Sequence, residues 1–527
     1  MALPVRGGAL TRRGRAAARA IGVVAALALG LAGCGERDAK TRRVLVIGLD
    51  GATWDLLEPM IRDGALPNIA RLRESGSWGP LESVTPPLSA PAWTTAVTGV
   101  NPGRHGVLDF VLVDPATYGL RMATSRDRKT PAIWDHLGRA GRRAGIINIP
   151  LTSPPDSIDG FMIGGFPHVD TTGIFFPEVI AAELGPYRLD PYGERLPPGH
   201  EDEFLADICS TLDSKRDTAL RLMKTQDWDF LWVVFMASDK AQHFFWRYID
   251  PENPAYRADA PAALRGAIAD VWRRLDDAVG ALVEASGHGT TVVILSDHGF
   301  GPVRREFRVL PWLRREGYLA ARPEDWQRSA FLTFSIYGGA LFANDARFPA
   351  GVVADSARPA LLADASSRLA AVVEPGRAGG VDSGPVLDGI VTKDAIYSGP
   401  WGTNAPDLMF EGAPGWLVSR GGLAPTDSVF GPPSYTFSGY HRPDGIVVAA
   451  GPGIARGARV SGARLLDVAP TLLYLAGAPV PRALEGRVLE TLIEAARLAR
   501  DPIRFEEVDL ERTPEEIEAI RAVPYIR

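Results

Sequence analysis

From Val44 to Asp50 the chain reads VLVIGLD, an unbroken apolar run that stops at a carboxylate. The pattern returns as FLWVVFMASD from Phe230 to Asp239 and as TVVILSD from Thr291 to Asp297. Runs that are apolar at every position, rather than at alternate ones, are strands buried on both faces. Helical periods lie between them: Val271, Leu275, Val279 and Leu282 recur at helical spacing ahead of the third run, which makes a right-handed strand, helix, strand unit. Pro67 to Ser75 reads as a further helix with Ile69 and Leu72 inward and Gly76 as its stop, and Ile146 to Ile149 as a further buried strand. The fold class is therefore α/β, with a mostly parallel central sheet covered by helices on both faces. Ligands of such sheets collect at the carboxyl ends of the strands, where Asp50, Asp239 and Asp297 fall.

The chain has 527 residues, 46% hydrophobic and 23% charged, which is ordinary for a folded protein and long enough for one elaborated domain or several smaller ones. Its formal net charge of -6, with no basic stripe beyond the first residues, argues against a nucleic acid polymer as partner.

Arg6, Arg12, Arg13, Arg15 and Arg19 precede the apolar run Ile21 to Leu31, the pattern of an export signal too short to span a bilayer. Leu31-Ala32-Gly33-Cys34 resembles the bacterial lipoprotein cleavage box, which implies a signal peptide over 1–33 and a lipid on Cys34. The expected location is then the bacterial cell envelope, lipid-anchored on its periplasmic or extracellular face. Cys34 and Cys209 are the only cysteines, so a lipidated Cys34 leaves no disulfide framework.

A polar tether covers 34–43 and the core begins at 44. Two Pro- and Gly-rich stretches interrupt its rhythm, about Ser153 to His200 and about Pro311 to Pro433, and both read as insertions over the carboxyl edge of the sheet. The core is thus expected over 44–310 and 434–490, with an inserted lid or cap over 311–433. The rest, 491–527, reads as a charged tail, helical from Glu506 to Ala522.

Between Thr85 and Gly99 the sequence TPPLSAPAWTTAVTG places Ser89 just ahead of a helix that Pro91 opens and Ala92, Trp93, Ala96 and Val97 bury. A helix amino terminus favours an anion, so a phosphate fits beside the serine oxygen. A serine hydroxyl needs a base or a metal to become a nucleophile, and taken alone Ser89 reads equally as a cap. Asp239 and His243, four apart on a helical turn, point the same way and can clamp one ion. Asp297 and His298 are adjacent at a strand end, and His441 stands in a glycine-flanked loop before Ile446. Singly these are a helix start, a turn and a loop; jointly, so many charges at strand ends imply a cation, because an unpartnered buried charge is costly. Imidazoles with carboxylates suit two divalent ions, zinc best, with manganese or iron as other choices.

The motifs VLVIGLDGA, SAPAWTTAVTG, NPGRHGVLDF, ASDKAQHFFW, SDHGFG, NAPDLMF, GYHRPDG and LLDVAPTLLYLAG together resemble the alkaline phosphatase superfamily, most closely its type I phosphodiesterase and nucleotide pyrophosphatase branch. The resemblance implies an alkaline-phosphatase-like core. It also implies that Asp239, His243 and His441 hold one ion while Asp50, Asp297, His298 and Ser89 hold the other. The mechanism it implies is covalent: Ser89 attacks phosphorus, and water then frees the phosphoseryl group. The expected activity is metal-dependent hydrolysis of phosphate esters, diesters or related phosphonates before monoesters, on a phosphorylated small molecule or an envelope substrate.

Two positions depart from the branch. It carries threonine as nucleophile and later an asparagine that holds a phosphoryl oxygen, whereas this chain has Ser89 and Phe110. Phenylalanine donates no hydrogen bond, which speaks against nucleotide pyrophosphatase specificity. Asp109 beside it would repel phosphate unless protonated. Trp93 stands where the sulfatase signature requires arginine, which excludes that reading. His105 is expected to brace its loop, and Arg304, Arg305 and Arg308 either meet a second phosphate or form a solvated face. Two alternatives stay open at this point: a phosphotransferase acting on an envelope glycan or lipid, and a metal-bound lipoprotein without catalysis.

Overall fold

A computed structural model describes residues 42–511 other than 169, 186, 192–198, 321, 336–337, 375–383, 423–426 and 434–436. The expected signal peptide, Cys34 and most of the tether lie outside the described residues, as does the tail beyond 511. Among the described residues no helix is long and apolar enough to cross a membrane.

The central sheet has nine strands: β1 (Arg43–Leu49), β2 (Ser77–Glu82), β3 (Ala144–Ile147), β4 (Gly160–Ile163), β5 (Phe175–Phe176), β6 (Phe230–Phe235), β7 (Thr290–Leu295), β8 (Asp444–Ala450) and β9 (Ala463–Arg464). Their order is β9-β2-β8-β7-β1-β6-β3-β4-β5. The stretch from β7 to β4 is parallel throughout, and β8 and β5 run against it. In β1, Leu45, Ile47 and Leu49 enter one apolar core while Val44 and Val46 enter the other. Phe230 to Phe235 divide in the same way, which is why these runs carry no polar alternation. One face is covered by the Glu201–Thr225 and Ala262–Ser286 helices, the other by Ser89–Thr98, Ile133–Arg139 and Val468–Leu475. Full burial of each such aliphatic side chain contributes about 1.5–3 kcal/mol.

β1 lies between β6 and β7. The three runs that end in acid are therefore direct neighbours, and their carboxyl ends open side by side. A second ladder starts at the same edge. The strand Gly299–Arg308 leaves His298, pairs antiparallel with Gly439–Arg442, and continues outward beside Gly415–Ser419. Its register sets Phe300 opposite His441, which returns that histidine from far along the chain to the sheet edge.

The segment 311–433 builds its own four-stranded sheet, ordered Phe331–Leu332, Gly339–Ala343, Leu408–Gly412, Leu387–Thr392, with the Arg358–Ala370 helix and a separate apolar cluster that includes Trp312, Leu341, Leu369 and Phe410. Phe307 and Val309 belong to that cluster too, so the cap is rooted in the strand that leaves the site. Asp407 of the NAPDLMF motif is its polar centre: fully buried, it meets Arg347, Arg358 at 2.5 Å and Lys393 at 3.2 Å. The cap is tied to the core by Tyr118, which stacks on Phe348 at 5.6 Å, and by Tyr397, whose hydroxyl donates to the Thr85 carbonyl at 2.6 Å.

Two expectations need correction. Ser153 to His200 is not an insertion throughout, because Gly160–Ile163 is a buried parallel strand of the central sheet beside β3. Glycine lets it approach: at Gly160, φ is 134° and a Cβ would stand 2.0 Å from the Ala144 carbonyl oxygen. The tail is not one helix over its described part. Ala495–Arg500 is helical, Pro502 prevents continuation, and Phe505–Glu506 pairs as a strand with Val480–Pro481.

Candidate metal and nucleophile site

Ser89 is the first residue of its helix, and Leu88 before it is extended. The serine oxygen stands 3.2 Å from His298 Nε2. Asp50 follows β1, and Asp297 and His298 follow β7, all three fully buried. Asp239 and His243 share one face of the Ala237–Phe245 helix just past β6, with His243 Nε2 3.2 Å from Asp239 Oδ1. His441 Nε2 is also 3.2 Å from Asp239 Oδ1 and 3.0 Å from His243 Nε2. All seven residues singled out by sequence are thus brought to one place.

The three imidazoles are oriented alike. Nδ1 of His243 lies 3.0 Å from the Gly439 carbonyl, that of His298 3.1 Å from Gly299, and that of His441 2.8 Å from Pro87. A carbonyl only accepts, so each Nδ1 carries a proton and each ring turns its Nε2 inward. The Nε2 atoms of His243 and His441 converge on the same Asp239 oxygen. Asp50 Oδ1 and Asp297 Oδ2 are buried and lack a hydrogen-bond donor; His298 Nε2 stands 3.6 and 3.2 Å from them, and the Ser89 hydroxyl also steadies the Asp297 charge. Their other oxygens are held by Trp93 Nε1–H at 2.8 Å and by the Gly51 N–H at 3.3 Å. A donor set of this kind is stable when a cation stands in the middle. Two groups close enough to share an ion are Asp50, Asp297 and His298, and Asp239, His298 and His441. His298 reaches both.

Burial, with the charges of Asp297 and Asp239 added, pushes the Asp50 carboxyl well above its ordinary range. Burial and then Asp239 push Asp297 up to about 8. Asp239 goes the opposite way: burial opposes its charge, but His243 and His441 hold it well below the ordinary range. Burial, reinforced by His441, pushes His298 down to about 4, and burial lowers His441 as well. Neutral imidazoles beside carboxyls that resist ionising alone are ligands in want of a cation.

His105 is buried and neutral, pushed down to about 3 by burial and by Arg128. Its Nδ1 accepts from the Val107 N–H at 3.2 Å, so Nε2–H donates to Thr95 Oγ1 at 3.0 Å, which ties its loop to the Ser89 helix. Arg304 pairs with Asp250 and Glu252, Arg305 with Glu374 and Arg308 with Glu306, so this trio is engaged within the protein rather than poised for a second phosphate. Trp93 was legible only as core, although a buried indole N–H usually finds an acceptor. Also illegible was a cavity of about 460 Å³ between core and cap, lined by Leu88, Leu108, Asp109, Phe334, Trp401 and Met409 among others.

The type I phosphodiesterase/nucleotide pyrophosphatase family model matches residues 44–444. The chain belongs to this family. It is a hydrolase of the phosphodiesterase and pyrophosphatase kind. Human ectonucleotide pyrophosphatase/phosphodiesterase 5 is similar in structure, with a TM-score of 0.51 at 16% identity over 86% of this chain and 100% of the other. The murine counterpart, an inactive variant in complex with AMP, matches to the same extent, with a TM-score of 0.51 and 16% identity. Phosphonoacetate hydrolase from Sinorhizobium meliloti 1021, in complex with phosphonoformate, has a TM-score of 0.52 at 15% identity over 83% of this chain and 96% of its own. Comparison with curated proteins gives no match. At these identities the solved structures show the shared fold, while the family match rests on the sequence that carries the site.

Proposed function

We propose that this protein hydrolyses organic phosphodiesters or related phosphonates through Ser89, with Asp50, Asp239, His243, Asp297, His298 and His441 holding two divalent cations, zinc by their chemistry. The observation that carries the reading is the convergence of three Nε2 atoms and of orphaned carboxylate oxygens on two groups that share His298, whose Nε2 stands 3.2 Å from the Ser89 oxygen. When bound, such ions supply charge that lowers the serine pKa and steadies the entering and leaving oxygens. The chain supplies the rest. The helix that begins at Ser89 directs its positive end toward the phosphoryl anion. The bond from Ser89 Oγ to phosphorus forms as the ester oxygen leaves, and water then breaks it and restores the hydroxyl.

The cavity beside Leu88, whose wall joins Leu108, Phe334, Trp401 and Met409 to polar groups such as Asp109 and Lys129, favours an ester with an organic arm over inorganic phosphate. The sequence of the leader supports export and a lipid anchor on Cys34 in the cell envelope. The test is turnover by the zinc-supplemented full chain of an aryl phosphodiester and the matching monoester, with Ser89→Ala as control. Serine-dependent preference for the diester is expected. Equal turnover by wild type and Ser89→Ala would refute the mechanism.

A further inference from the structure

A chain of contacts runs from Ser89 round to Ala90, its neighbour in sequence. Ser89 Oγ meets His298, whose ring stacks on His441 at 3.7 Å, and His441 meets Asp239. Asp239 Oδ2 faces Lys240 Nζ at 4.0 Å, and that ammonium lies 5.5 Å from the centre of the Phe166 ring. Phe166 stands edge-on to Phe110 at 5.3 Å, and Phe110 packs on the small cluster that contains Ala90, next to the serine. Half of this chain of contacts is the candidate metal site. The other half is two phenyl rings and one lysine.

A phosphoryl group between the halves has oxygens to satisfy on both sides. Phe110 and Phe166 offer no polar donor, which leaves Lys240 as the donor of that half. Its ammonium has three N–H groups, and among the described residues no hydrogen bond engages it; the Asp239 contact is at the outer limit of an ion pair. With its side chain only 16% exposed, it is held in place beside the site. We propose that Lys240 is a catalytic residue that donates to a non-bridging oxygen of the substrate's phosphoryl group, a role that Phe110 leaves vacant. This inference rests on the reading of Ser89 and its neighbours as a phosphoryl-transfer site.

The test is calorimetric titration of orthovanadate into the zinc-loaded full chain, with zinc content measured for every variant. Lys240→Met is expected to weaken vanadate binding about ten- to a hundredfold at unchanged zinc content, as loss of a charge-assisted hydrogen bond predicts. Lys240→Arg should keep most of the affinity, and adding Phe110→Asn to Lys240→Met should recover part of it. Lys240→Gln serves the same comparison where the methionine variant does not fold. Vanadate affinity within twofold of wild type in Lys240→Met and Lys240→Gln would overturn the proposal and leave the phosphoryl-transfer reading standing. Loss of zinc together with vanadate would overturn it by making Lys240 a brace for Asp239. A wild-type chain that holds zinc but no vanadate, or no zinc at all, would end both readings.

Discussion

Replacing Asp109 by asparagine should stabilise the protein at neutral pH. Burial at the wall of the cavity raises its carboxyl from the ordinary 3.8 to about 6, although the Val111 and Phe110 N–H groups and Ser335 Oγ pull the other way. With the folded-state pKa above the unfolded one, the native state binds the extra proton between these values. Stability from this group is therefore full below about pH 4, is lost as pH rises through about 6, and stays lost above. At about 1.4 kcal/mol per pKa unit the whole shift amounts to about 3 kcal/mol. The cavity admits water, which screens the charge, so the expected gain for Asp109→Asn is about 1–2 kcal/mol above pH 6. Asparagine can still accept from Ser335, now 3.2 Å from Asp109 Oδ2, so little else changes. The assay is urea denaturation of both proteins at pH 5 and pH 7.5, read as the difference between them. A wild-type protein equal to or more stable than the variant at pH 7.5 would refute the assignment of a strained carboxyl. A second readout uses the same pair: above pH 6 an ionised Asp109 repels the phosphoryl anion, so the variant should show a lower KM at pH 7.5 and the same kcat.

Two further outcomes follow from other parts of the fold. Chelation of the protein as isolated should lower its melting temperature, and zinc should restore it, since saturation at a thousandfold excess over Kd contributes roughly 4 kcal/mol; a melting temperature indifferent to both would contradict the metal reading. Asp407→Ala should cost about 3 kcal/mol, because it leaves Lys393 without its counterion and Arg347 and Arg358 to share Asp345 alone. Burial opposes the Asp407 charge, but Arg347 and Lys393 hold its pKa below the ordinary value, so the pairing should weaken as pH falls through that lowered value. Limited proteolysis should then cut first within 311–433; an unchanged cleavage pattern and melting curve would show the cluster to be dispensable.

The sequence made the core legible where one short run carries its own meaning. Apolar strands that end in acid announce their burial and the placing of the acids, and β7, β1 and β6 are indeed neighbours. The Asp239 and His243 pairing is a local helical relation and needs no tertiary knowledge. Gly160–Ile163 escaped because a short strand flanked by glycines resembles a loop, and only its buried partner β3 identifies it. The cavity escaped for the same reason: its walls come from distant segments, each without periodicity of its own.

The residues around Ser89 differ in how they are fixed, and that difference bears on where specificity resides. Asp50, Asp297 and His298 hang from strands with both faces packed, and a shift in any of them would disturb two apolar cores. His441 is fixed by the register against Gly299–Arg308, the same strand whose outer half roots the cap. Site and cap therefore share one structural member. The cavity wall is shared in the same way: Leu88 and Leu108 come from the core, Met409 from the cap, and Phe334 and Phe342 pack in a small cluster against Val113 of the core. On the proposed reading, chemistry belongs to the sheet edge and the choice of ester arm to the cavity between core and cap, so a change in the shared strand should alter both together.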